Sequence, residues 1–137
     1  MQTLGIYAIT TVVFFAIDML WLGFIARNFY RKHLGYLMAE QVVWAAALVF
    51  YFIYIGGILY FAILPALKAG SLQTALVNGA LLGFLCYATY DLTNLATVKN
   101  WPILVTAVDL VWGTLLTAAT SGIAYMVEQT GVPVVPV

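Results

Sequence analysis

Ten acidic or basic side chains (five Lys/Arg, five Asp/Glu) are spread so unevenly over 137 residues that they leave four long, nearly uncharged intervals. Thr3 to Ala26 contains one, Asp18, and nothing between Glu40 and Lys68 is charged. Lys68 and Lys99 enclose only Asp91, and Lys99 and Glu128 enclose only Asp109. Each interval supplies the roughly 20 apolar residues that cross a hydrocarbon core at about 1.5 Å per residue. The spacing predicts helices over 3–26, 42–65, 71–97 and 101–126. Ten-residue alternating segments, which a barrel would need, are absent. The first interval is too long for a signal peptide, lacks a basic leader and is interrupted by Asp18.

Composition agrees. Charged residues make up 7% of the chain and hydrophobic ones 65%, with a mean hydropathy of +1.05. A soluble domain carries about 25% charge, and disorder needs low hydrophobicity, so both are excluded. A net charge of zero offers no field to hold nucleic acid. The single Cys86 rules out an intrachain disulfide and packs as a small apolar residue. The expected fold is all-α: an integral membrane four-helix bundle, with residues 1–137 forming a single transmembrane domain.

Basic residues set the expected direction. Arg27, Arg31 and Lys32 follow the first helix and Lys99 follows the third, against Lys68 alone on the other side. That asymmetry predicts cytoplasmic loops 1–2 and 3–4 and both termini outside. Trp44 and Trp101 at one end, with Tyr7, Tyr60 and Tyr125 at the other, fit interfacial aromatic belts. The segment Arg27–Met38 mixes basic and aromatic residues and reads as a short interfacial helix, with His33 solvated or facing lipid headgroups. The Pro-containing tail 131–137 reads as irregular.

The three intramembrane acids share a depth. Asp18 lies eight residues before Ala26, Asp91 six before Thr97, and Asp109 eight after Trp101. At about 1.5 Å per residue they form one layer roughly 9–12 Å below the same face, whichever way the protein is inserted. Each acid costs about 2.5–3.5 kcal/mol near a helix centre, and no Lys or Arg lies within a span to offset it. The carboxyls must therefore face the bundle interior and carry a proton, a cation or a ligand.

Neighbouring residues extend this polar layer. Gly79, Gly83, Tyr87, Asp91 and Asn94 share one face of the third helix, where the glycines permit close packing. Thr106, Asp109, Gly113, Thr117 and Thr120 form a similar stripe on the fourth, and Tyr51 on the second sits at a depth to bond a carboxylate. Tyr90, Trp21 and Trp112 complete the candidate binding set with Asp18, Asp91, Asp109, Asn94, Tyr87, Tyr51 and Thr106. The echo of Asp18-Met-Leu-Trp21 in Asp109-Leu-Val-Trp112, on helices of opposite direction, raises an inverted repeat.

One His and one Cys cannot build a zinc site or a histidine-rich di-iron box, no Ser/His/Asp set is apparent in the carboxylate layer, and no motif calls for a cofactor. Oxygen donors suit protons or a hard cation. Two functional readings follow. One is a protein binding or transporting a proton- or cation-coupled small molecule, expected to work as a homo-oligomer because four helices leave little room for a private pathway. The other is an enzyme acting on a lipid or other apolar substrate, with Asp91 and Asp109 as candidate acid and base and Tyr87 and Asn94 orienting it. The competing structural reading makes the polar residues interhelical glue.

Several stretches resemble one known family. Asp18-Met-Leu-Trp-Leu-Gly with Phe29-Tyr30, Phe50-Tyr51-Phe-Ile-Tyr54-Ile-Gly56, Phe61-Ala-Ile-Leu-Pro65-Ala and Val108-Asp109-Leu-Val-Trp112-Gly113 carry part of the resemblance. The most distinctive stretch is Tyr87-Ala-Thr-Tyr90-Asp91-Leu-Thr-Asn94-Leu-Ala-Thr97 followed by Trp101-Pro102. Together they resemble domain of unknown function 2177, a family of small bacterial integral membrane proteins. The resemblance implies residence in a bacterial inner membrane and supplies no activity.

Overall fold

The computed structural model describes residues 2–130, so the expected irregular tail, 131–137, lies outside the described residues. Helix α1 (Gln2–Leu20) runs on into a π-helical turn, Trp21–Ile25, and is followed by the short α2 (Arg27–Leu34) and a 3₁₀ turn, Gly35–Leu37. The second span is α3 (Trp44–Ile58), a second π turn, Leu59–Ile63, and α4 (Leu64–Ala69). Helices α5 (Leu72–Thr97) and α6 (Ile103–Gln129) complete the chain, with no strand among the described residues. Four helical stretches are long and apolar enough to cross a membrane: Thr3–Ile25, Trp44–Ala69, Leu72–Thr97 and Ile103–Gln129. Phe24, Phe52 and Ile103 are 83%, 70% and 72% exposed, which only a hydrocarbon solvent makes inexpensive.

Local chemistry explains the helix ends. Gly70 takes the left-handed conformation at the C-terminus of α4, and the Ser71 hydroxyl accepts from the Thr74 N–H to cap α5. The second span was expected to end at Pro65 but continues to Ala69. Proline lacks an N–H, so the Phe61 carbonyl loses its intrahelical donor, and the Asn78 amide supplies one at 3.1 Å from α5. Helix α6 likewise runs to Gln129, beyond the expected residue 126.

The α5–α6 pair forms the spine, with α1 packed on α6. A Cβ added at Gly79 would sit 2.7 Å from the Thr117 carbonyl, and one at Gly83 would sit 2.1 Å from the Gly113 carbonyl. The two backbones touch there, and the small-residue pattern serves packing within the chain. Span 2 meets α5 mainly along the π turn Leu59–Ile63. The aromatic belts need a correction. Trp44 and Tyr60 are exposed, whereas Trp101 and Tyr125 are buried at 8% and 7% exposure. Trp101 turns inward because its indole N–H donates to the Thr106 hydroxyl at 3.0 Å.

A candidate carboxylate site beside an apolar cleft

Asp18, Asp91 and Asp109 are all buried, at 4%, 0% and 7% exposure, so each turns from lipid into the bundle as its insertion cost demands. They do not form a symmetric triad. The carboxyls of Asp91 and Asp109 lie within hydrogen-bonding reach of each other across the α5–α6 contact. Asp18 is held separately: the Tyr51 hydroxyl donates to it at 3.2 Å, and the Trp112 indole lies beside it. Among the described residues no three acidic, His or Cys side chains converge on one metal position.

Helix α2 supplies a partner that the sequence reasoning missed. The Tyr30 hydroxyl donates to Asp109 Oδ1 and accepts from the Trp21 indole N–H at 3.2 Å. Tyr30 was assigned to an interfacial segment, but α2 folds back so that this one phenol re-enters the bundle. Burial, followed by the bond to Asp109, raises its pKa above the ordinary 10, so it remains a neutral donor. Within α2 Arg27, Arg31 and Lys32 are exposed and Tyr30 is half-buried, a difference that the sequence does not signal.

The two Asp-x-x-Trp motifs meet. Trp21 and Trp112 stack with ring centroids 4.3 Å apart and planes 9° from parallel. Each indole lies toward the other motif's acid: Trp112 beside Asp18, and Trp21 reaching Asp109 through Tyr30. The π turn Trp21–Ile25, closed by the Ala26 N–H on the Trp21 carbonyl at 2.8 Å, begins at the residue that makes this stack.

Remaining candidates fall into two groups. Thr106 bonds Trp101 and, at 3.4 Å, the Asp91 carbonyl, so it braces the α5–α6 junction and does not reach the Asp91 carboxyl. Tyr90 is 60% exposed, stands edge-on to Trp101, and Asn94 approaches its hydroxyl one turn along α5. Tyr87 packs against Gly113, where an added Cβ would sit 2.2 Å from its ring. Tyr54, unassigned from sequence, shares a 2.7 Å hydrogen bond with Thr117.

A cavity of about 350 Å³ joins these groups. It is lined by Phe50 and Tyr54 of α3, Cys86, Tyr87 and Tyr90 of α5, and Asp109 of α6. Phe50 and Tyr90, both exposed, frame it between α3 and α5, where span 2 has splayed from α5. Directly behind Asp109, both Asp91 carboxyl oxygens are buried and without a hydrogen-bond donor. A buried acceptor left so costs about 1–3 kcal/mol, more when charged, and a site that takes a proton or a ligand's donor recovers it.

A family model described as "Predicted membrane protein (DUF2177)" matches residues 3–126. No curated protein and no solved structure matches the chain.

Proposed function

The chain belongs to the DUF2177 family of predicted membrane proteins, and from its cavity and buried carboxyls we propose that it binds a membrane-resident amphipathic molecule. The ligand enters laterally between α3 and α5 and places its polar end at the Asp91–Asp109 pair. One observation carries this reading: an apolar cavity framed by the exposed Phe50 and Tyr90 ends on a carboxyl whose buried neighbour lacks a donor. Protons on the two carboxyls answer their burial when no ligand is bound, and loss of one of them on binding couples binding to protonation. Asp18, Tyr51, Trp21, Trp112 and Tyr30 hold the pair's surroundings, Tyr87 and Tyr90 line the approach with Asn94 beside the Tyr90 hydroxyl, and Thr106 braces the α5–α6 junction.

An enzymatic reading draws on the Tyr30 bond to Asp109, because a phenol and two carboxyls make a sufficient acid–base set. The two readings separate on whether the bound molecule leaves chemically altered. We assign the protein to a bacterial inner membrane from the family resemblance. The basic asymmetry supports cytoplasmic loops 1–2 and 3–4. External thiol labelling of single cysteines is expected beside Lys68 and not beside Lys32, and labelling at Lys32 would reverse the orientation.

Native mass spectrometry of the full chain from nonionic detergent tests the binding itself. The wild type is expected to carry a bound amphipath, and Cys86→Trp, which fills the cavity, is expected to lose it. A wild type free of bound molecules, or a filled cavity with undiminished occupancy, would refute lateral binding.

A further inference from the structure

The cavity wall is chemically selective. Phe50, Tyr54, Tyr87 and Tyr90 contribute aromatic rings, and Asp109 contributes the one acidic or basic side chain; none of the lining residues is Lys, Arg or His. Aromatic faces carry negative quadrupole charge and attract cations, most effectively where water is excluded. An anionic head would meet the Asp109 carboxyl, with Asp91 behind it. A neutral hydrocarbon would fill the volume without engaging the Asp109 carboxyl. A positively charged head answers both the rings and the Asp109 carboxyl.

We propose that the cavity is an aromatic cage for an apolar organic ammonium. The nitrogen sits among the rings against Asp109, and its hydrocarbon chain leaves between Phe50 and Tyr90 into the bilayer. This assignment rests on the lateral-binding reading above and names its ligand class. The cavity volume of about 350 Å³ is at the lower end of small-molecule sites, which suits a head and the first part of a chain. The compensating charge comes from the pair itself: as the cation arrives one of the two carboxyl protons leaves to water, and the proton that the Asp91–Asp109 pair keeps leaves a single negative charge opposite the ammonium.

Equilibrium dialysis of the full chain in dodecyl maltoside, with empty micelles as baseline, tests the assignment. The probes are dodecyltrimethylammonium, its uncharged carbon isostere 2,2-dimethyltetradecane, and the anion dodecylphosphonate. The ammonium is expected to bind at least tenfold more tightly than the isostere, with the anion weakest. Asp109→Asn is expected to collapse the ammonium-to-isostere ratio toward one. Tyr87→Leu should lower ammonium affinity several-fold, and Tyr87→Phe, which keeps the ring, should restore it. Equal binding of ammonium and isostere to the wild type would overturn the ammonium assignment and leave lateral binding standing. Binding of none of the three probes would overturn both. Should Asp109→Asn fail to fold by circular dichroism, the wild-type ratio still decides.

Discussion

Around Gly79 and Gly83, helices α5 and α6 approach until backbone meets backbone, and the polar side chains there are mostly paired. Ser121 donates to the Thr117 carbonyl and Tyr54 bonds the Thr117 hydroxyl, both at 2.7 Å. Two turns along the same helices, around Tyr87, Asp91 and Asp109, glycine gives way to aromatic rings and carboxyls. There the contact encloses unpaired oxygens and borders a cavity. The first half has the features of glue: small residues, short distances and, apart from the buried Thr120 hydroxyl, paired polar groups. The second half retains a desolvation cost that packing alone would have removed, and the proposed binding reading rests on that difference.

The largest expected effects lie along the close α5–α6 contact that ends at Tyr87. Gly83→Ala and Gly113→Ala insert a Cβ into a carbonyl at 2.1 Å and into the Tyr87 ring at 2.2 Å. Each is expected to cost about 1–3 kcal/mol or more, because the helices must separate. Unfolding in detergent measures this. Gly23→Ala and Gly57→Ala, with nothing within 4 Å, are the controls and should unfold like the wild type. If all four behave alike, the α5–α6 contact is not the spine described here.

Tyr54→Phe sharpens the boundary between the halves, since Tyr54 lines the cavity and also bonds Thr117. Loss of that bond is expected to cost about 1 kcal/mol in the same unfolding assay. No change would mean that Thr117 finds another partner.

The smallest effect is one of pH. The raised pKa of Tyr30 means that the folded state holds the phenolic proton more tightly than the unfolded state. Its stabilisation is complete below the unfolded value near 10 and is lost as pH rises through the higher folded value. Tyr30→Phe should therefore flatten the alkaline side of the stability profile. An unchanged alkaline slope would place the Tyr30 phenol in water.

The spans were legible because insertion cost is a one-dimensional property: uncharged intervals of sufficient length must be helices in a bilayer. Burial of the three acids followed from the same cost. Their grouping did not. Depth along an axis places Asp18, Asp91 and Asp109 in one layer, but azimuth and helix neighbours decide that Asp91 meets Asp109 while Asp18 goes to Tyr51. Tyr30 escaped because its role depends on α2 folding back, which no local periodicity in eight residues encodes. Extension of span 2 past Pro65 depends on Asn78, a residue from another helix. Trp101 and Tyr125 were assigned to belts by position along the chain, although packing buries both.

The contrast between glue and site reduces to one comparison, made on the Asp91→Asn, Asp109→Asn double variant. Asparagine keeps the size and hydrogen-bonding capacity of the side chain while removing its charge and its exchangeable acid proton. Thermal unfolding and bound-molecule occupancy by native mass spectrometry are read from the same preparation. The account predicts a cooperative transition at or above the wild-type temperature, with occupancy at least tenfold lower. Undiminished occupancy in a folded double variant, or loss of the fold itself, would contradict it.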